Sequence, residues 1–246
     1  MALHTDQSVG DQVGGIVKLS QRRKAETRQG LLDAAYRVFA QRGYAQATID
    51  DIAAAGGVSK GAVYHHFASK EELFRARLAD HGHEVDAMVA AVARAKSFRD
   101  LVRGFVEVWI GHYRNDPLFM PLSLEYRVQA TREPWARELV AAFYAQVRAL
   151  IGGVLRLGQE TGFVRRDLDC ESAATFIFGA LDGVCLQAAI DPGRVEIDGV
   201  EDRLTELVFR YVATNGKGDL RRFRAALAPL VEQSGLRAVA SNESGR

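Results

Sequence analysis

The chain has 246 residues, of which 48% are hydrophobic, and its 32 basic residues nearly balance its 31 acidic residues. This composition excludes an intrinsically disordered protein and supplies enough apolar material for a sizeable core in one or two domains. Two cysteines are too few for a disulfide-stabilised scaffold, and we find neither a signal peptide nor an uncharged apolar stretch that approaches membrane-spanning length. We therefore expect a soluble protein of the reducing cytoplasm without a membrane partner.

Basic residues are concentrated near the N-terminus. Nine basic and four acidic residues lie between Lys18 and Lys70, which gives this segment a local net charge of +5. A basic segment on a nearly neutral chain suits the phosphate backbone of nucleic acid. A solvated basic surface has the same signature, so charge alone does not decide between the two.

The first twenty residues are rich in Gly, Ser, Asp and Gln and have no apolar period. They predict a flexible N-terminal arm over residues 1–20, whose basic end could follow a DNA backbone or enter a minor groove, or could be an ordinary disordered terminus. From about Lys24 to Arg42, apolar side chains recur at the spacing of an amphipathic helix, and Gly43 predicts its end.

Two short capped helices follow this first helix. Thr48 predicts the start of a helix over Ile49 to Ala55, and Ser59 predicts the start of a second helix after a glycine-containing turn. Ser69, with Glu72 three residues later, opens the next helix, so the second helix has only about two turns. This arrangement is typical of a helix-turn-helix, whose second helix enters the major groove of DNA.

The second short helix has two different faces. At about 100° per residue, Val63 and Phe67 lie on one side, while Gly61 and His65 lie nearly opposite. We expect the first face to pack and the second to contact a partner.

Five short motifs between Thr27 and Arg77 carry a family resemblance. They are Gly43-Tyr44, Thr48-Ile49-Asp50-Asp51-Ile52-Ala53, Gly57-Val58-Ser59-Lys60-Gly61, Tyr64-His65-His66-Phe67 and Ser69-Lys70-Glu71-Glu72-Leu73. In this order and spacing they resemble the N-terminal DNA-binding domain of the tetracycline-repressor (TetR) family. The resemblance covers about a fifth of the chain and implies a transcriptional regulator.

The predicted DNA contacts lie on the recognition helix and at its borders. Gly61 allows a close approach because it lacks a Cβ, and the hydroxyls of Thr48 and Ser59 stand at helix starts, where phosphate binds. We expect His65 to contact DNA more directly than His66. Tyr64 offers a phenol to a phosphate, although a partly buried spacer is the alternative, and Lys70 resembles the phosphate-binding lysine of the family. The full set is Thr48, Ser59, Lys60, Gly61, Ala62, Tyr64, His65, His66 and Lys70.

The remainder of the chain also predicts helices, so the fold class is all-α. A long helix from Lys70 to about Ala95 precedes helices over Phe98–Asn115, Pro117–Ala130, Pro134–Thr161, Cys170–Ile190, Val200–Asn215 and Leu220–Gln233. We predict a three-helix DNA-binding domain at 21–69 and a helical effector-binding and dimerisation domain at 70–216. Residues 217–246 form an extension, partly helical and then flexible, to which we assign no role.

The helices at Cys170–Ile190 and Val200–Asn215 are apolar on more than one face and must bury the excess against something. The resemblance implies that they pair with their copies in a homodimer. A two-fold dimer would double the contacts of one short recognition helix on a palindromic operator. The expected interface residues are Phe178, Gly179, Gly183, Leu186, Leu204, Leu207, Val208 and Tyr211.

The middle of the chain concentrates aromatic residues, for which ordinary core packing is the alternative to a ligand site. The resemblance implies a pocket here for a small, largely apolar or aromatic effector that releases a repressor from DNA by shifting its conformational population. The candidate lining residues are Trp109, Tyr113, Phe119, Tyr126, Trp135, Phe143 and Phe176.

Two other functions remain as alternatives, an effector-independent DNA-binding protein and an all-α enzyme. The enzyme lacks support because no nucleophile, metal-binding or phosphate-binding motif occurs, and we expect no catalytic residue and no cofactor. His81 and His83 are two residues apart, which on a helix turns them about 200° from each other, so we expect no metal site there.

Overall fold

The computed structural model describes residues 7–79, 94–214 and 218–233, and the structural statements below concern these residues. The chain divides into two compact units, a head of Met1–Arg77 and a body of Leu78–Arg246. The described ranges are helical apart from their connections, and their sole β pairing is a single antiparallel bridge between Val164 and Ala213. The prediction of an all-α fold is confirmed.

The first helix, α1, spans Gln7–Gln46 and is interrupted at Gly43, whose φ of 74° is a value that glycine adopts without strain. This interruption lies where the sequence predicted the helix end. Residues 7–20 of the predicted arm are part of α1, because the helix begins at Gln7 instead of near Lys24. No proline interrupts residues 7–23, and a helix that is already nucleated extends without a new nucleation cost.

Three short helices complete the described part of the head. They are α2 (Ile49–Ala55), α3 (Lys60–His66) and α4 (Lys70–Ala79). Thr48 and Asp51 form a capping box at the start of α2, and the Ser59 hydroxyl accepts a hydrogen bond from the backbone N–H of Ala62 at the start of α3. The connection between α2 and α3 passes through Gly57, whose φ is 66°.

The core of the head is aromatic and includes the beginning of α4. Phe39, Phe67 and Phe74 are fully buried, and the ring of Phe74 stands edge-on to Phe39 with their centroids 5.0 Å apart. Because Phe74 packs here, the head ends after Arg77 and not after residue 69 as the sequence suggested. The predicted continuation of α4 to Ala95, with His81 and His83, lies largely outside the described residues.

The body contains six described helices. They are α5 (Phe98–Asn115), α6 (Phe119–Arg132), α7 (Pro134–Glu160), α8 (Cys170–Ile190), α9 (Val200–Val212) and α10 (Leu220–Gln233). The structure begins α6 two residues later than predicted. It ends α9 at Val212 because Ala213 turns to an extended conformation and forms the bridge with Val164.

The helices α7 and α8 are long and apolar enough to cross a membrane by length and composition alone. Their buried residues, among them Val147 and Ile151 on α7 and Ala173 and Leu181 on α8, belong to the core of the body. Their apolar character is therefore that of core helices.

The C-terminal part of the body is attached at the connection between α7 and α8. The backbone N–H of Thr214 donates to the carbonyl of Phe163 at 2.9 Å, and the N–H of Asp219 donates to the carbonyl of Thr161 at 2.8 Å. The Asp219 carboxylate then accepts from the N–H of Arg222 at 3.0 Å and caps α10. The predicted helical part of the C-terminal extension is thus present and packed, while residues 234–246 lie outside the described residues.

Candidate functional site

The outer face of α3 is exposed and chemically mixed. Val63 and Phe67 are buried, as predicted, while Gly61 and His65 are exposed and Tyr64 keeps 48% of its surface accessible. Of the nine predicted DNA-contacting residues, the exposed ones are Thr48, Ser59, Lys60, Gly61, Tyr64 and His65, and the half-buried ones are Ala62, His66 and Lys70.

Gly61 has no role in packing within the chain. A Cβ built at this position would have only the Ser59 hydroxyl nearby, at 3.8 Å. Glycine inside a helix costs about 1 kcal/mol relative to alanine, so its presence here is not explained by the stability of the head. The arrangement keeps the first turn of α3 accessible to a close partner.

Capping bonds fix the two helix starts that border this face. The Thr48 hydroxyl accepts from the N–H of Asp51 at 3.1 Å and donates to its carboxylate at 2.7 Å. The bond from the Thr48 hydroxyl and a second one from the Thr48 backbone N–H at 3.0 Å, together with the Arg42 guanidinium 2.6 Å away, lower the pKa of Asp51 below its ordinary value. Thr48 and Ser59 are thereby oriented, and their contacts with phosphate stay predictions.

Lys60, the first residue of α3, has a charged partner within the head. The Lys60 ammonium lies 2.9 Å from the Asp50 carboxylate, and this hydrogen bond raises the pKa of Lys60. Both side chains are exposed, so the pair contributes little stability, and a phosphate could compete with Asp50 for the ammonium.

Lys70 takes a position that the sequence did not predict. Its ammonium donates to the carbonyls of Tyr44 at 2.7 Å and Ala47 at 2.9 Å, and it lies 4.4 Å from the centroid of the Tyr44 ring. These contacts tie α4 to the connection between α1 and α2. The geometry therefore favours a structural function for Lys70 over the predicted phosphate contact.

His66 lies at the packed border of α3. Burial, followed by the neighbouring charges of His65, Lys24 and Arg28, lowers the pKa of His66 below its ordinary value. The ring of His66 stands edge-on to that of His65 with their centroids 5.4 Å apart. This position agrees with the expectation that His65 is the more accessible of the two.

The predicted aromatic residues of the body do not form one pocket. Trp109 and Tyr144 pack edge-on against Phe178, with ring centroids 5.1 and 5.5 Å from it, and Phe143 packs against Tyr144. Phe119 lies near His112 instead, and Tyr126 is buried. Phe176 is 69% exposed, which corrects its assignment to a ligand site, because it lies on the outer face of α8.

A cavity of about 70 Å³ lies elsewhere in the body. Its lining is entirely apolar and consists of Phe98, Leu101, Val102, Phe105, Leu150, Ile151, Val154, Leu155, Ile177, Val208, Val212 and Leu227. None of the seven predicted ligand residues lines it. In the sequence, the aliphatic lining residues on α5 and α7 form a set at helical spacing. The same pattern is typical of an ordinary core, so it does not indicate a cavity.

A polar group stands beside the aromatic cluster. Arg127 on α6 donates to the Tyr144 hydroxyl at 2.8 Å and pairs with the Asp182 carboxylate on α8 at 2.5 Å, with both charged side chains about three-quarters buried. Burial and the nearby Asp182 raise the pKa of Cys185 to about 12, so its thiol stays protonated. Three helices are joined here by one ion pair and its hydrogen bond.

The outer faces of α8 and α9 carry exposed apolar residues. Leu207, Tyr211 and Gly179 are exposed, and Gly183 and Leu186 are half-buried. The assignment of Phe178, Leu204 and Val208 to an interface is corrected, since all three are buried within the single chain. Phe176 and Ile190 are the most exposed large apolar residues in the described ranges, and the sequence did not assign them to this surface.

No group of three or more His, Cys, Asp and Glu side chains that could hold a metal ion occurs among the residues that the structure describes. Both cysteines are free and buried.

Residues 31–76 match a family model described as bacterial regulatory proteins of the tetR family, and residues 98–216 match one described as the C-terminal domain of BetI-type transcriptional repressors. The transcriptional repressor AcnR of Corynebacterium glutamicum is 30% identical over 161 residues, which cover 65% of this chain and 81% of that protein. The regulator TtgR of Pseudomonas putida is 26% identical over 200 residues, 75% of this chain and 90% of that protein.

The fold is similar to that of the transcriptional regulator FadR from Bacillus subtilis, solved in complex with stearoyl-CoA. The TM-score is 0.67 at 20% sequence identity, with 74% of this chain and 97% of that chain covered. At this identity the likeness establishes the fold.

Proposed function

Since this chain belongs to the TetR family of transcriptional regulators, we propose that it is a repressor that binds a palindromic operator as a homodimer and is released by a small apolar effector. It is a DNA-binding regulator, and the regulators of this family are soluble proteins, so we place it in the cytoplasm. We assign a catalytic function to none of its residues.

The observation that carries the proposal is the outer face of α3. Gly61, where an added Cβ would meet only the Ser59 hydroxyl at 3.8 Å, lies one turn before two exposed side chains that can hydrogen-bond, Tyr64 and His65. The helix is fixed on its other face by Val63 and Phe67, so this surface is presented rigidly. Such a face suits base edges and phosphates in a major groove.

The homodimer follows from two features. First, α3 has only seven residues, and one such helix reads too few base pairs for a specific site. Second, exposed Phe176, Leu207 and Tyr211 form an apolar surface on α8 and α9 that an isolated chain would leave in water. A two-fold dimer covers this surface and duplicates α3 on the two half-sites.

The effector is expected to be largely aliphatic, because the cavity in the body is lined by aliphatic residues and two phenylalanines. The complex of Bacillus subtilis FadR with stearoyl-CoA supports this choice by analogy, since that ligand also carries an aliphatic chain. Effector binding would shift the protein towards a conformation that no longer fits the operator.

The experiment is the selection of DNA sites from random sequence, followed by affinity measurements on the selected site. We expect a palindrome with half-sites about one helical turn apart, bound by two chains. His65→Ala should lower affinity for the selected site more than for random DNA, while Gln41→Ala, an exposed change on α1, should alter neither. Selection of a non-palindromic site bound by one chain would contradict the proposal.

A second candidate is a regulator that acts without an effector. It is favoured by the small volume of the cavity, because side chains fill most of the space between the helices. Under this candidate, operator affinity would stay constant across a panel of fatty acids, alkanols and alkylphenols. Release from the operator by one member of that panel would exclude it.

A further inference from the structure

The cavity in the body is too small for an effector of ordinary size. Its volume is about 70 Å³, whereas an apolar cavity known to bind benzene measures about 150 Å³ and ligand pockets usually measure about 300 Å³ or more. An effector in this place therefore needs space that the chain itself now occupies.

The helix α10 occupies the space beside the cavity. Leu227 lines the cavity and is 1% exposed, and Phe223, one turn earlier, is fully buried. The Phe223 ring packs edge-on against Phe98, another lining residue, and against Phe163, with centroid distances of 5.8 and 5.9 Å. The opposite face of α10 is exposed.

This helix is an addition to the domains that define the family. The two matched segments end at residues 76 and 216, and α10 begins at Leu220. It is also the last element that the structure describes, so it can leave the body without breaking any later packing in the described chain. Its start is held by Gly218 against Phe163 and by the hydrogen bond from Asp219 to Thr161.

We propose that α10 is an internal occupant of the effector site, and that an uncharged, apolar ligand binds by displacing Phe223 and Leu227. The proposal rests on the proposed function in taking this cavity as the effector site. The measured affinity of a ligand is the intrinsic affinity multiplied by the fraction of chains in which α10 is undocked. Loosening α10 should therefore tighten ligand binding.

Gly218 offers a way to loosen α10 without changing any cavity residue. A Cβ at this position would lie 2.4 to 2.6 Å from three atoms of the Phe163 ring. That ring cannot move aside easily, because it is stacked on Phe98 at 5.0 Å and flanked by Phe223. Gly218→Ala should thus strain the docked state and leave the undocked state unchanged.

The test compares the full chain, Gly218→Ala and the control Gly193→Ala, in which the added Cβ meets nothing within 4 Å. The probe is the uncharged fluorescent dye phenylnaphthylamine, and amide hydrogen exchange over residues 220–227 reports docking. We expect Gly218→Ala to lose protection in this segment and to bind the dye about tenfold more tightly, a change of about 1.4 kcal/mol. The control should match the parent chain in both measurements.

A chain that ends at Thr214 is the second variant, and it should bind the dye at least as tightly as Gly218→Ala. Equal dye affinity in the parent chain and Gly218→Ala, or unchanged protection of residues 220–227, would overturn the proposal.

Measurements of operator binding distinguish a failure of the internal occupant from a failure of the proposed function. Tighter dye binding without any effect of the dye on the operator complex would support the internal occupant and count against effector release in this cavity. An effector that releases the operator at the same concentration in the parent chain and in Gly218→Ala would support the function and overturn the internal occupant.

Discussion

Gly61 on α3 and Gly179 on α8 are exposed helical glycines whose missing Cβ leaves open space, and their surroundings differ. Gly61 stands beside Tyr64 and His65, which can hydrogen-bond to a partner. Gly179 lies one turn from Phe176 and Gly183 on the same side of α8, so its surroundings are apolar. Neither glycine is needed for packing inside the chain. We propose that each glycine serves a contact with another molecule, DNA in the head and a second copy in the body.

The largest expected effect comes from a substitution in the exposed apolar surface of α8 and α9. Phe176→Glu places a charge in the proposed dimer interface, and an unpaired buried charge costs several kcal/mol. We expect the dimer dissociation constant to rise about a hundredfold or more, as measured by analytical ultracentrifugation over a range of concentrations. Operator binding should weaken with it, because the two copies of α3 are no longer joined.

The matched control for this change is Val128→Glu on α6, which puts the same charge at another exposed apolar side chain outside the α8 and α9 surface. It should leave the dimer intact. Equal dissociation in both variants would place the dimer contact elsewhere on the body.

A second prediction tests whether Lys70 belongs to the head's structure or to the DNA contact. Lys70→Met removes the hydrogen bonds to Tyr44 and Ala47, and losing such charge-assisted bonds should lower the free energy of unfolding of the head by about 2 kcal/mol. The measurement is hydrogen exchange of the head amides together with the salt dependence of operator binding. If the stability is unchanged and the slope of log affinity against log salt concentration falls by about 0.9, Lys70 contacts a phosphate, as the sequence predicted.

The short helices of the head could be predicted from the sequence, because the residues that begin and end them are close together in the chain. Thr48 and Asp51 are three residues apart, Ser59 caps a helix that begins with the next residue, and Gly43 interrupts a helix by its own conformation. The contacts of Lys70 within the head could not be predicted in this way. Its partners Tyr44 and Ala47 are 26 and 23 residues away, and no local pattern indicates that they meet.

The buried and exposed residues of the body could not be predicted, because the orientation of its helices decides which apolar residues face inward. Phe176 and Phe178 are both apolar and only two residues apart, yet the first is exposed and the second is buried against Trp109. The helix bounds were predictable from capping and periodicity. The cavity was not, since its lining is a core pattern on several helices at once.

The third prediction tests whether α3 approaches DNA closely at Gly61. In the free chain, Gly61→Ala should raise the free energy of unfolding by about 1 kcal/mol, because alanine favours the helix and the added Cβ meets open space. On the operator, the same methyl group should weaken binding about tenfold, within the usual cost of overpacking a tight contact. The control Gly111→Ala, inside α5 of the body, should change stability without changing operator affinity. Equal or tighter operator binding by Gly61→Ala would show that α3 does not approach DNA closely at this residue.

The smallest expected effect concerns His66, at the border between the packed and the exposed faces of α3. Its pKa lies below the ordinary value of 6.5, first because of burial and then because of His65, Lys24 and Arg28, so the folded head binds this proton more weakly than the unfolded chain does. The resulting stability is complete above pH 6.5 and is lost as the pH falls through the lowered pKa of the folded head. We expect hydrogen exchange of α2 and α3 amides to accelerate, after correction for the intrinsic rate, between pH 7.5 and 5. His66→Gln should remove part of this acceleration, and His112→Gln on α5 should remove none of it. A pH dependence of the head that is identical in all three chains would mean that the ring of His66 is solvated and that this border of α3 is not packed.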